Sequence, residues 1–512
     1  MHMDSNTEKQ GGTVDVGRFH VALVMCPIWN ISQPPLATAC IAAQLKAAGY
    51  DVSCHDLSRR FVDSISTDHR REVEQTYLPQ GWFEDFDRWR RTLDIDRMVE
   101  TWAAEIARSE PAVAGFTIYD ATLSVSLLLA REIKRLCPET VIIFGGPTCD
   151  NAAIMRKGPV DFLVCGEGEV TAVDLLGRIR NGQPVSDCPG IAWRAGTEIV
   201  RNPPRPRVED INEIPFPDFD GFDLRAYPER KLPMLTSRGC PNRCSFCSES
   251  PRWGRYRHRS AENIVAEMER NLREYGIAHS SMEDSLINGN LDEFARMCDL
   301  ILERGLKVTW GGKARIHPRM NLAFLAKARA AGCVALIFGI ESASQKILDH
   351  MRKNVQVPEV EQVIRDCHDV VIHVSCFFIV GYVNEGEDEF QETLEFIRRN
   401  RPFIDVVYPG TGLYILEGSQ LHRRANDLGI VLPQQSPDGR WRSADGTNTE
   451  AVRAERSRRL DALIAELYST AAEGQRSAPS RATRWGGRDI YSGFAKWARR
   501  RFPGAGRESD CG

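Results

Sequence analysis

Three closely spaced cysteines constrain this chain more than any other feature of its sequence. Cys240, Cys244 and Cys247 lie in the string Gly-Cys-Pro-Asn-Arg-Cys-Ser-Phe-Cys. A [4Fe-4S] cube normally takes four thiolates, so three cysteines in one loop leave one iron open to a small molecule. The spacing therefore predicts an iron–sulfur cluster at which a reaction can begin.

A structural zinc site is the alternative for these cysteines. Zinc in structural sites takes four Cys or His ligands, usually from paired clusters. His258 has no partner at zinc-finger spacing, and the next cysteines along the chain are isolated: Cys298, Cys333, Cys367 and Cys376. Residues 232–237 predict a short buried strand, so the cysteines follow a strand, where α/β folds commonly hold functional groups. This context favours the cluster.

Helical and strand-like segments alternate after the cysteines, which is the pattern of parallel βα units. The predicted strands cover residues 232–237, 277–282, 306–310, 334–340, 371–381 and 404–408. The predicted helices cover residues 261–275, 291–304, 321–331, 357–369 and 388–400. Six such strands fit a partial (β/α)6 barrel, and barrel enzymes carry their reacting groups at the carboxyl ends of the strands.

The first 200 residues predict a separate α/β unit. Its strands cover residues 21–25, 51–55, 112–118, 141–144 and 162–165, with helices over 35–48 and 122–137. This order predicts a doubly wound, Rossmann-like sheet whose ligand site lies at the carboxyl ends of the strands. Three loops converge there: Tyr119-Asp120-Ala121-Thr122, Gly145-Gly146-Pro147 and Gly166-Glu167-Gly168-Glu169. No G-x-G-x-x-G motif opens the first helix, so these loops are not a dinucleotide fingerprint.

The cysteine motif, with Phe246 directly before its last cysteine, resembles the signature of the radical SAM superfamily. The three loops, the segment Gln33-Pro34-Pro35-Leu36 and residues 211–217 resemble the cobalamin-binding domain that precedes many radical SAM barrels. The resemblance covers roughly residues 19–420. It implies three cofactors: a [4Fe-4S] cluster on the three cysteines, S-adenosyl-L-methionine (SAM) chelating the open iron, and cobalamin. Reduction of the cluster would then cleave SAM to a 5′-deoxyadenosyl radical.

The resemblance also implies which residues contact SAM. Glu283 and Asp284 follow a predicted strand at the position where the family holds the SAM amino group, although the common Gly-Gly-Glu form is absent. Glu341, with the adjacent Ser342, matches a position associated with the ribose, where a carboxylate can accept from two hydroxyls. Arg315 pairs either the SAM carboxylate or a structural carboxylate.

Two further residues are assigned to SAM by the same resemblance. Phe246 lies within the cysteine motif. Gly381 opens the turn Gly-Tyr-Val-Asn-Glu, which departs from the family's usual Gly-Phe-Pro-Gly-Glu near the adenine.

Residues of the three loops are expected to contact cobalamin, because glycines let a backbone approach a large ligand closely. They are Tyr119, Asp120, Thr122, Gly145, Gly146, Pro147, Gly166, Glu167, Gly168 and Glu169. Cobalamin domains that ligate cobalt from below carry an Asp-x-His-x-x-Gly segment, which is absent here; His20 and His55 lie within predicted strands. We therefore expect the lower cobalt face to lack a histidine ligand, with Tyr119 or Asp120 as the residue that approaches it.

These patterns divide the chain into five parts: a polar tail (1–18), the cobalamin-binding domain (19–197, with an insertion at 58–108), a linker (198–230), the radical SAM barrel (231–421) and a helical region with a basic tail (422–512). The insertion contains Trp82, Phe83, Phe86, Trp89 and Trp102. These side chains are expected to pack over the first domain or to form a substrate lid. Residues 449–473 predict an amphipathic helix, and the tail from Arg476 is expected to be solvated or to dock on a partner.

Composition is that of an enzyme rather than of a nucleic-acid-binding or membrane protein. The chain has 512 residues, 42% hydrophobic content and a net charge of −4, which provides no basic field for nucleic acid. Its apolar runs are strand-sized, shorter than the roughly 20 residues of a membrane span. Residues 1–18 are polar, and 15 cysteines without framework spacing predict a reducing, cytoplasmic location.

The function expected from the resemblance is that of a cobalamin-dependent radical SAM methyltransferase. Such an enzyme would use methylcobalamin to methylate an unactivated carbon during natural-product biosynthesis. Its partners would be a small-molecule or peptide substrate and an external electron donor of the flavodoxin or ferredoxin type. Two alternatives stay open: a radical SAM cyclase or ring-rearranging enzyme without net methylation, and a non-catalytic sensor that binds the cluster and cobalamin.

Overall fold

The computed structural model describes residues 19–70, 86–408, 411–436 and 440–469. Two seven-stranded sheets organise these residues, one in each half of the chain. The predicted polar tail, Trp82, Phe83 and the basic tail from Arg476 lie outside the described residues.

The first sheet contains strands β1 His20–Met25, β2 Asp51–Asp56, β3 Val113–Thr117, β4 Val141–Gly145, β5 Phe162–Val164, β6 Ile191–Ala195 and β7 Glu198–Arg201. Helices α1 Leu36–Ala47, α2 Leu57–Ser64, α3 Phe86–Thr92, α4 Ile95–Ala107, α5 Asp120–Leu136 and α6 Gly168–Arg180 accompany it. The strand order is β2-β1-β3-β4-β5-β6-β7, and β1 to β5 are parallel. The predicted doubly wound sheet is confirmed. From β1 the chain adds β2 on one side and then β3, β4 and β5 on the other. The boundary between β1 and β3 is therefore the switch point at which such sheets bind ligands.

Local sequence explains these elements. Every residue of β1 is buried, because helices cover both faces of a parallel sheet and strands there are apolar on both sides. Asp56 ends β2 and begins α2: its carboxylate accepts the Ser58 amide at 3.1 Å and the Arg59 amide at 3.2 Å. This N-cap satisfies two donors that the helix leaves free.

The sheet extends further than the sequence predicted. Strands β6 and β7 add an antiparallel hairpin to β5, so residues 198–201 belong to the sheet and not to the linker. Strand β7, Glu198–Arg201, is too short and too mixed in composition to be predicted from hydrophobic periodicity. Pairing with β6 is a tertiary contact that local patterns do not contain.

The expected insertion is partly an integral element of the sheet. Helix α4 packs along α5 and serves as the crossover between β2 and β3. Trp89 and Trp102 are buried in the core on that face of the sheet, and Phe86 packs against the same cluster. These three side chains therefore pack over the first domain, and they do not form a lid.

The second sheet is the predicted barrel. Its strands are β8 Lys231–Met234, β11 His279–Met282, β12 Thr309–Ala314, β13 Cys333–Glu341, β14 His373–Val380 and β15 Val406–Val407, with β16 Thr411–Gly412 beside β14. The helices between them are α8 Ala261–Tyr275, α9 Leu291–Glu303, α10 Leu322–Ala330, α11 Gln345–Met351, α12 Val357–Asp369 and α13 Glu387–Asn400. All neighbours are parallel and follow chain order, as expected for successive βα units.

One barrel strand differs from its prediction. The strand expected over 306–310 runs over Thr309–Ala314, so the two glycines that were expected to follow it lie inside it. Gly312 pairs with Met282 and Leu336 of the neighbouring strands. A Cβ at Gly312 would lie 2.8 Å from Ile287 Cγ2 and 3.0 Å from Met282 Cβ. Close packing therefore requires glycine at this position. A strand prediction from composition takes the same glycine as the end of the strand.

Two small ribbons and a terminal helix complete the second half. Strands β9 Ser237–Arg238 and β10 Arg257–His258 form an antiparallel ribbon, with the short helix α7 Glu249–Trp253 in the loop between them. A second ribbon joins β17 Ile430–Val431 to β18 Arg442–Ser443 after the short helix α14 Gln420–Arg423. The last described helix is α15 Glu450–Ser469. Among the described helices, none combines the length and apolar character that crossing a membrane requires.

Helix α15 closes the barrel through a buried arginine. The Arg453 guanidinium lies 3.9 Å from the centre of the Trp441 ring, and it donates to Trp441 O at 2.8 Å and to Asn448 Oδ1 at 3.1 Å. Asn448 in turn donates to the carbonyls of Gly381 and Tyr382. The helix is thus attached to the carboxyl end of β14 by a connected set of hydrogen bonds.

Replacement of this arginine should destabilise the protein. We expect Arg453→Met to lower the free energy of unfolding by about 3 kcal/mol, because two hydrogen bonds from a buried charged donor are lost and their acceptors stay buried. Urea denaturation followed by tryptophan fluorescence measures this change. Arg458→Met is the matched control, since its side chain is 73% exposed on the same helix. Equal stability of the two variants would contradict the role of Arg453.

Candidate cofactor sites

The loop that contains the predicted ligands, residues 239–256, connects β9 to β10 and is called the cluster loop below. The thiols of Cys240, Cys244 and Cys247 are half-buried and unpaired. The Cys240 and Cys247 sulfurs each have an N–H donor at 3.5 Å. Burial, with smaller contributions from the neighbouring Cys244 and Cys240 thiols, raises the pKa of the Cys247 thiol to about 11. A bound metal is a partner that can hold such a group as a thiolate.

This arrangement suits a cluster better than a single ion. In the described parts of the chain, no three Cys, His, Asp or Glu side chains converge closely enough to hold one ion. A zinc ion binds each sulfur at about 2.3 Å from one centre, whereas the thiolates of a [4Fe-4S] cube bind different irons. Three thiols on one loop, with N–H donors to two of the sulfurs, therefore fit the cube.

Ser245 anchors the cluster loop to the barrel. Its amide donates to Met351 O and its carbonyl accepts from the Leu421 amide, each at 3.0 Å. Its hydroxyl lies 2.7 Å from the hydroxyl of Tyr382, which occupies the position of the family's phenylalanine. The next residue, Phe246, packs in the apolar cluster that includes Tyr382. The departure from the family turn thus adds a hydrogen bond to the cluster loop.

Arg315 lies against the same loop. Its Nη1 is 3.8 Å from the sulfur of Cys244. Asn288 fixes its backbone from both sides: the Arg315 amide donates to Asn288 Oδ1 at 2.9 Å, and Asn288 Nδ2 donates to Arg315 O at 2.8 Å. Within the described residues no carboxylate lies within 4.0 Å of its guanidinium. Its positive charge therefore lies beside one of the three cysteines of the cluster loop.

Glu283 and Asp284, both expected at SAM, have different surroundings. Glu283 Oε1 accepts from Gln33 Nε2 at 2.7 Å and from the Ser281 hydroxyl at 2.6 Å, and the residue lines the large cavity described below. Asp284 is buried and accepts from the amides and hydroxyls of Thr236 and Ser237. Its oxygens hold the entry to the cluster loop, and the expected contact between Asp284 and SAM stays a prediction.

Three other residues expected at SAM lie at the ends of β13 and β14. Glu341 is half-buried, and its Oε1 lies 3.5 Å from Lys353 Nζ. Ser342 is buried, and its hydroxyl accepts the Ser344 amide at 3.1 Å. Gly381 has a φ of 73°, and the space for a side chain is filled by Arg453, so packing alone requires glycine here. The expected contacts of Ser342 and Gly381 with SAM stay predictions.

A cavity of about 1580 Å³ lies between the two sheets. The loops at the carboxyl ends of the first sheet form one wall, and Leu235, Arg238, helix α7 and Glu283 form another. No histidine is among its described lining residues, in line with the absent Asp-x-His-x-x-Gly segment. The predicted ligand edge of the first sheet and the cluster side of the barrel thus share one space.

Most residues expected at cobalamin line this cavity. They are Tyr119, Asp120, Gly145, Gly146, Pro147, Gly166, Glu167, Gly168 and Glu169. Tyr119 is stacked on Trp29 with ring centres 3.6 Å apart. Thr122 is the exception, because it is buried and accepts the Tyr119 amide at 3.0 Å to cap α5. The expected cobalamin contact of Thr122 stays a prediction, although this residue is not among those that line the cavity.

The carboxylates of Glu167 and Glu169 are committed to other partners. Glu167 accepts from Arg257 at 2.6 and 3.1 Å, and Glu169 accepts from Arg238. Burial opposes ionisation of Glu167, but Arg257 and Arg238 outweigh it and lower the pKa of its carboxyl. The backbone of this loop lines the cavity, whereas its acidic side chains join the two domains. The expected cobalamin contacts of Glu167 and Glu169 stay predictions, and both residues line the cavity.

Sequence reasoning missed several lining residues. Trp29 precedes the Gln33 segment by only four positions, and a tryptophan next to a ligand loop is a usable signal. Residues 201–207 and 416–418 also line the cavity. They come from irregular segments with no motif, and only the folded arrangement brings them there.

Two family models match the chain. The B12 binding domain model matches residues 83–176, and the Radical SAM superfamily model matches residues 234–397. The chain belongs to the cobalamin-binding radical SAM enzymes. A [4Fe-4S] cluster, SAM and cobalamin are the cofactors of this family and of this chain. The family, the fold and the cofactors expected from the sequence are confirmed, while the contacts of individual residues with the cofactors stay predictions.

Relatives of this radical SAM enzyme include two curated proteins and a solved structure. It is 28% identical over 321 residues to an uncharacterized methyltransferase of Pyrococcus horikoshii, covering 60% of this chain and 70% of the relative. It is 27% identical over 383 residues to the anaerobic magnesium-protoporphyrin IX monomethyl ester cyclase of Rubrivivax gelatinosus, covering 72% and 62%. The radical S-adenosylmethionine methyltransferase TsrM from Kitasatospora setae, solved with cobalamin and a [4Fe-4S] cluster, shares the fold with a TM-score of 0.61, 18% identity and coverage of 81% and 80%.

The cysteine assignment predicts a loss of iron. Cys244→Ala should abolish the visible absorbance of the reconstituted radical SAM enzyme and leave almost no bound iron, because two thiolates do not retain the cube. Iron analysis after anaerobic reconstitution measures this. Cys137→Ala is the control, because Cys137 is also half-buried but lies at the end of α5 in the first domain, outside the cluster loop. Full iron in Cys244→Ala would refute the assignment.

Substitution of Gly146 is expected to lower the stability of the protein. Its φ of 115° and ψ of 179° suit glycine alone, and a Cβ would lie 2.6 Å from the carbonyl oxygen of Ile118. Gly146→Ala should therefore lower the free energy of unfolding by about 3 kcal/mol. Gly166→Ala, where an added Cβ meets nothing within 4 Å, should cost about 1 kcal/mol. Urea denaturation compares the two, and wild-type stability of Gly146→Ala would contradict this explanation.

Proposed function

We propose that the chain is a cobalamin-dependent radical SAM methyltransferase that acts on an unactivated carbon in natural-product biosynthesis. The observation that carries the proposal is the shared cavity, because one space of about 1580 Å³ borders both the cobalamin edge and the cluster side. A substrate in this space can meet both cofactors. The methyltransferase from Pyrococcus horikoshii supports transfer of a methyl group as the outcome.

The proposed roles of the residues follow from their surroundings. Cys240, Cys244 and Cys247 hold the cluster, and Arg315 pairs the SAM carboxylate because its guanidinium lies beside Cys244. Glu283 receives the SAM amino group. Ser281 and Gln33 both donate to Glu283 Oε1, and these two hydrogen bonds fix the rotamer of the carboxylate. Glu341 remains the proposed partner of the ribose.

On the cobalamin side the chain supplies backbone and aromatic surface. The glycines of the loops at 145–147 and 166–169 let the backbone approach the corrin, and the stacked pair of Trp29 and Tyr119 forms an apolar floor. Burial raises the pKa of the Tyr119 hydroxyl to about 12, so this wall carries no phenolate charge. When bound, the cluster and SAM supply a 5′-deoxyadenosyl radical and cobalamin supplies a methyl group.

The proposed partners are a small-molecule or peptide substrate and a flavodoxin- or ferredoxin-type electron donor. The cluster requires reduction before SAM is cleaved, so the proposal includes an external electron donor. A cytoplasmic location suits this chemistry, since the thiolate ligands need a reducing compartment.

Cyclisation or ring rearrangement without net methylation is the second candidate. The match to the magnesium-protoporphyrin ester cyclase favours it, because that match covers 72% of this chain. The cofactor pair permits both outcomes. A non-catalytic sensor is not supported, because the chain belongs to an enzyme family.

Isotope labelling distinguishes the two candidates. Methylation consumes one SAM for the methyl group and a second for the radical, so S-adenosylhomocysteine and 5′-deoxyadenosine should accumulate in about equal amounts with product. With a deuterated SAM methyl group, the mass of the product should rise by the mass of the label. Mass spectrometry after anaerobic turnover measures both. Production of 5′-deoxyadenosine with an unlabelled product of altered skeleton would reject methylation and support the cyclase.

A further inference from the structure

Four buried charges join the cobalamin loop to the base of the cluster loop. Glu167 and Glu169 lie in the loop after β5, and Arg238 and Arg257 lie on the ribbon of β9 and β10. None of the four side chains is more than 9% exposed. The set has two positive and two negative groups, so the desolvated charges balance.

The geometry is specific to this pairing. Arg257 forms a two-pronged contact with Glu167, at 2.6 and 3.1 Å. Arg238 reaches both acids, with Nη1 3.2 Å from Glu167 Oε1 and Nη2 hydrogen-bonded to Glu169. Against the effect of burial, Glu169 and Glu167 raise the pKa of Arg238. Paired forks of this kind fix orientation as well as distance.

The two arginines are direct neighbours across the ribbon. Like charges in this position repel each other unless opposite charges lie beside them. Arg238 directly precedes Gly239 and Cys240, and Arg257 ends the return from the cluster loop. The ribbon therefore forms both ends of the loop that carries the three cysteines, and the two glutamates hold those ends together.

The same glutamates belong to a loop that lines the cobalamin cavity. Glu167 also accepts the Val208 amide at 3.0 Å, so the linker between the domains is attached to the same carboxylate. Gly166 and Gly168 on either side of it line the cavity. The contacts of Glu167 and Glu169 with Arg238 and Arg257 therefore give a shift of the cluster loop a direct path to the wall of the cobalamin site.

We propose that this four-charge network couples the two metal cofactors, so that assembly of the cluster tightens the binding of cobalamin. The network consists of positioning residues and not of catalytic residues. Cluster assembly fixes the conformation of residues 239–256, and the arginines at its base then hold the 166–169 loop in its binding form. By thermodynamic linkage, cobalamin strengthens retention of the cluster by the same factor. The inference rests on the two cofactor sites of the proposed function, and it is independent of methylation.

Binding of hydroxocobalamin to the full-length protein tests this coupling. Equilibrium dialysis before and after anaerobic reconstitution of the cluster gives the two affinities without turnover. In the wild type the ratio should be roughly tenfold, within the usual range of coupling between sites. In Glu169→Gln, which keeps the side-chain shape but removes one charge, the ratio should fall below about twofold.

Glu105→Gln is the matched control, because it removes a carboxylate from an exposed pair with Arg60 on the same domain. It should keep the wild-type ratio. If Glu169→Gln does not fold, Arg257→Lys carries the test, since lysine keeps the charge but loses the two-pronged contact. A wild-type ratio near one, or a wild-type ratio retained in the folded variant, would overturn the proposal. Loss of methylation with the coupling intact would reject the proposed reaction alone.

Discussion

A single buried carboxylate, that of Asp284, organises the entry to the cluster loop. Its two oxygens accept from the amides of Thr236 and Ser237 and from the hydroxyls of the same two residues. The bonds from Thr236 and from the Ser237 hydroxyl are 2.8 to 3.0 Å long. Burial raises the pKa of Asp284, and the hydrogen bonds oppose this shift. A buried carboxylate is tolerated only when such donors surround it. The end of β8, the start of the cluster loop and the end of β11 are therefore held at one point.

From that point the site is assembled by contacts between distant parts of the chain. Asp284 holds the residues that lead into the cluster loop, Ser245 anchors its middle, and the ribbon at its base meets Glu167 and Glu169. Each anchor uses a different element: the strand β11, the turn after β14 and the first sheet. An iron–sulfur loop between three fixed supports keeps its open iron in one place relative to the cavity. Such preorganisation is what a radical reaction requires, because the reacting atoms must be close and aligned.

Much of this architecture could be predicted from sequence, and the residues show why. Strands such as β1 are apolar throughout, and the cysteine spacing is a local pattern, so both are visible without a structure. The hairpin of β6 and β7, the extension of β12 through two glycines and the role of α4 as a crossover were not predicted. Each of these depends on tertiary packing that overrides local propensity.

The candidate site shows the same division. The loops were found because glycine and strand ends mark the carboxyl edge of a parallel sheet. Partners of single side chains were not found: Asp284, Thr122 and Ser342 are polar residues in motif positions whose hydrogen bonds point inward. Glu167 and Glu169 belong to the same class, since their arginines lie about 70 to 90 residues further along the chain. No local pattern predicts such long-range pairs.

The buried position of Arg453 has a consequence for biosynthesis. Domains form in the order in which they leave the ribosome, at about 5 to 20 residues per second. The first sheet is complete by Arg201, so it can form while the barrel is still being translated. The turn after β14, by contrast, gains its last hydrogen bonds only from Asn448, which Arg453 holds, and from Arg456, which donates to Glu385 O. This turn of the nascent barrel therefore stays uncovered until helix α15 has been translated. A chaperone is expected to bind the chain during that interval.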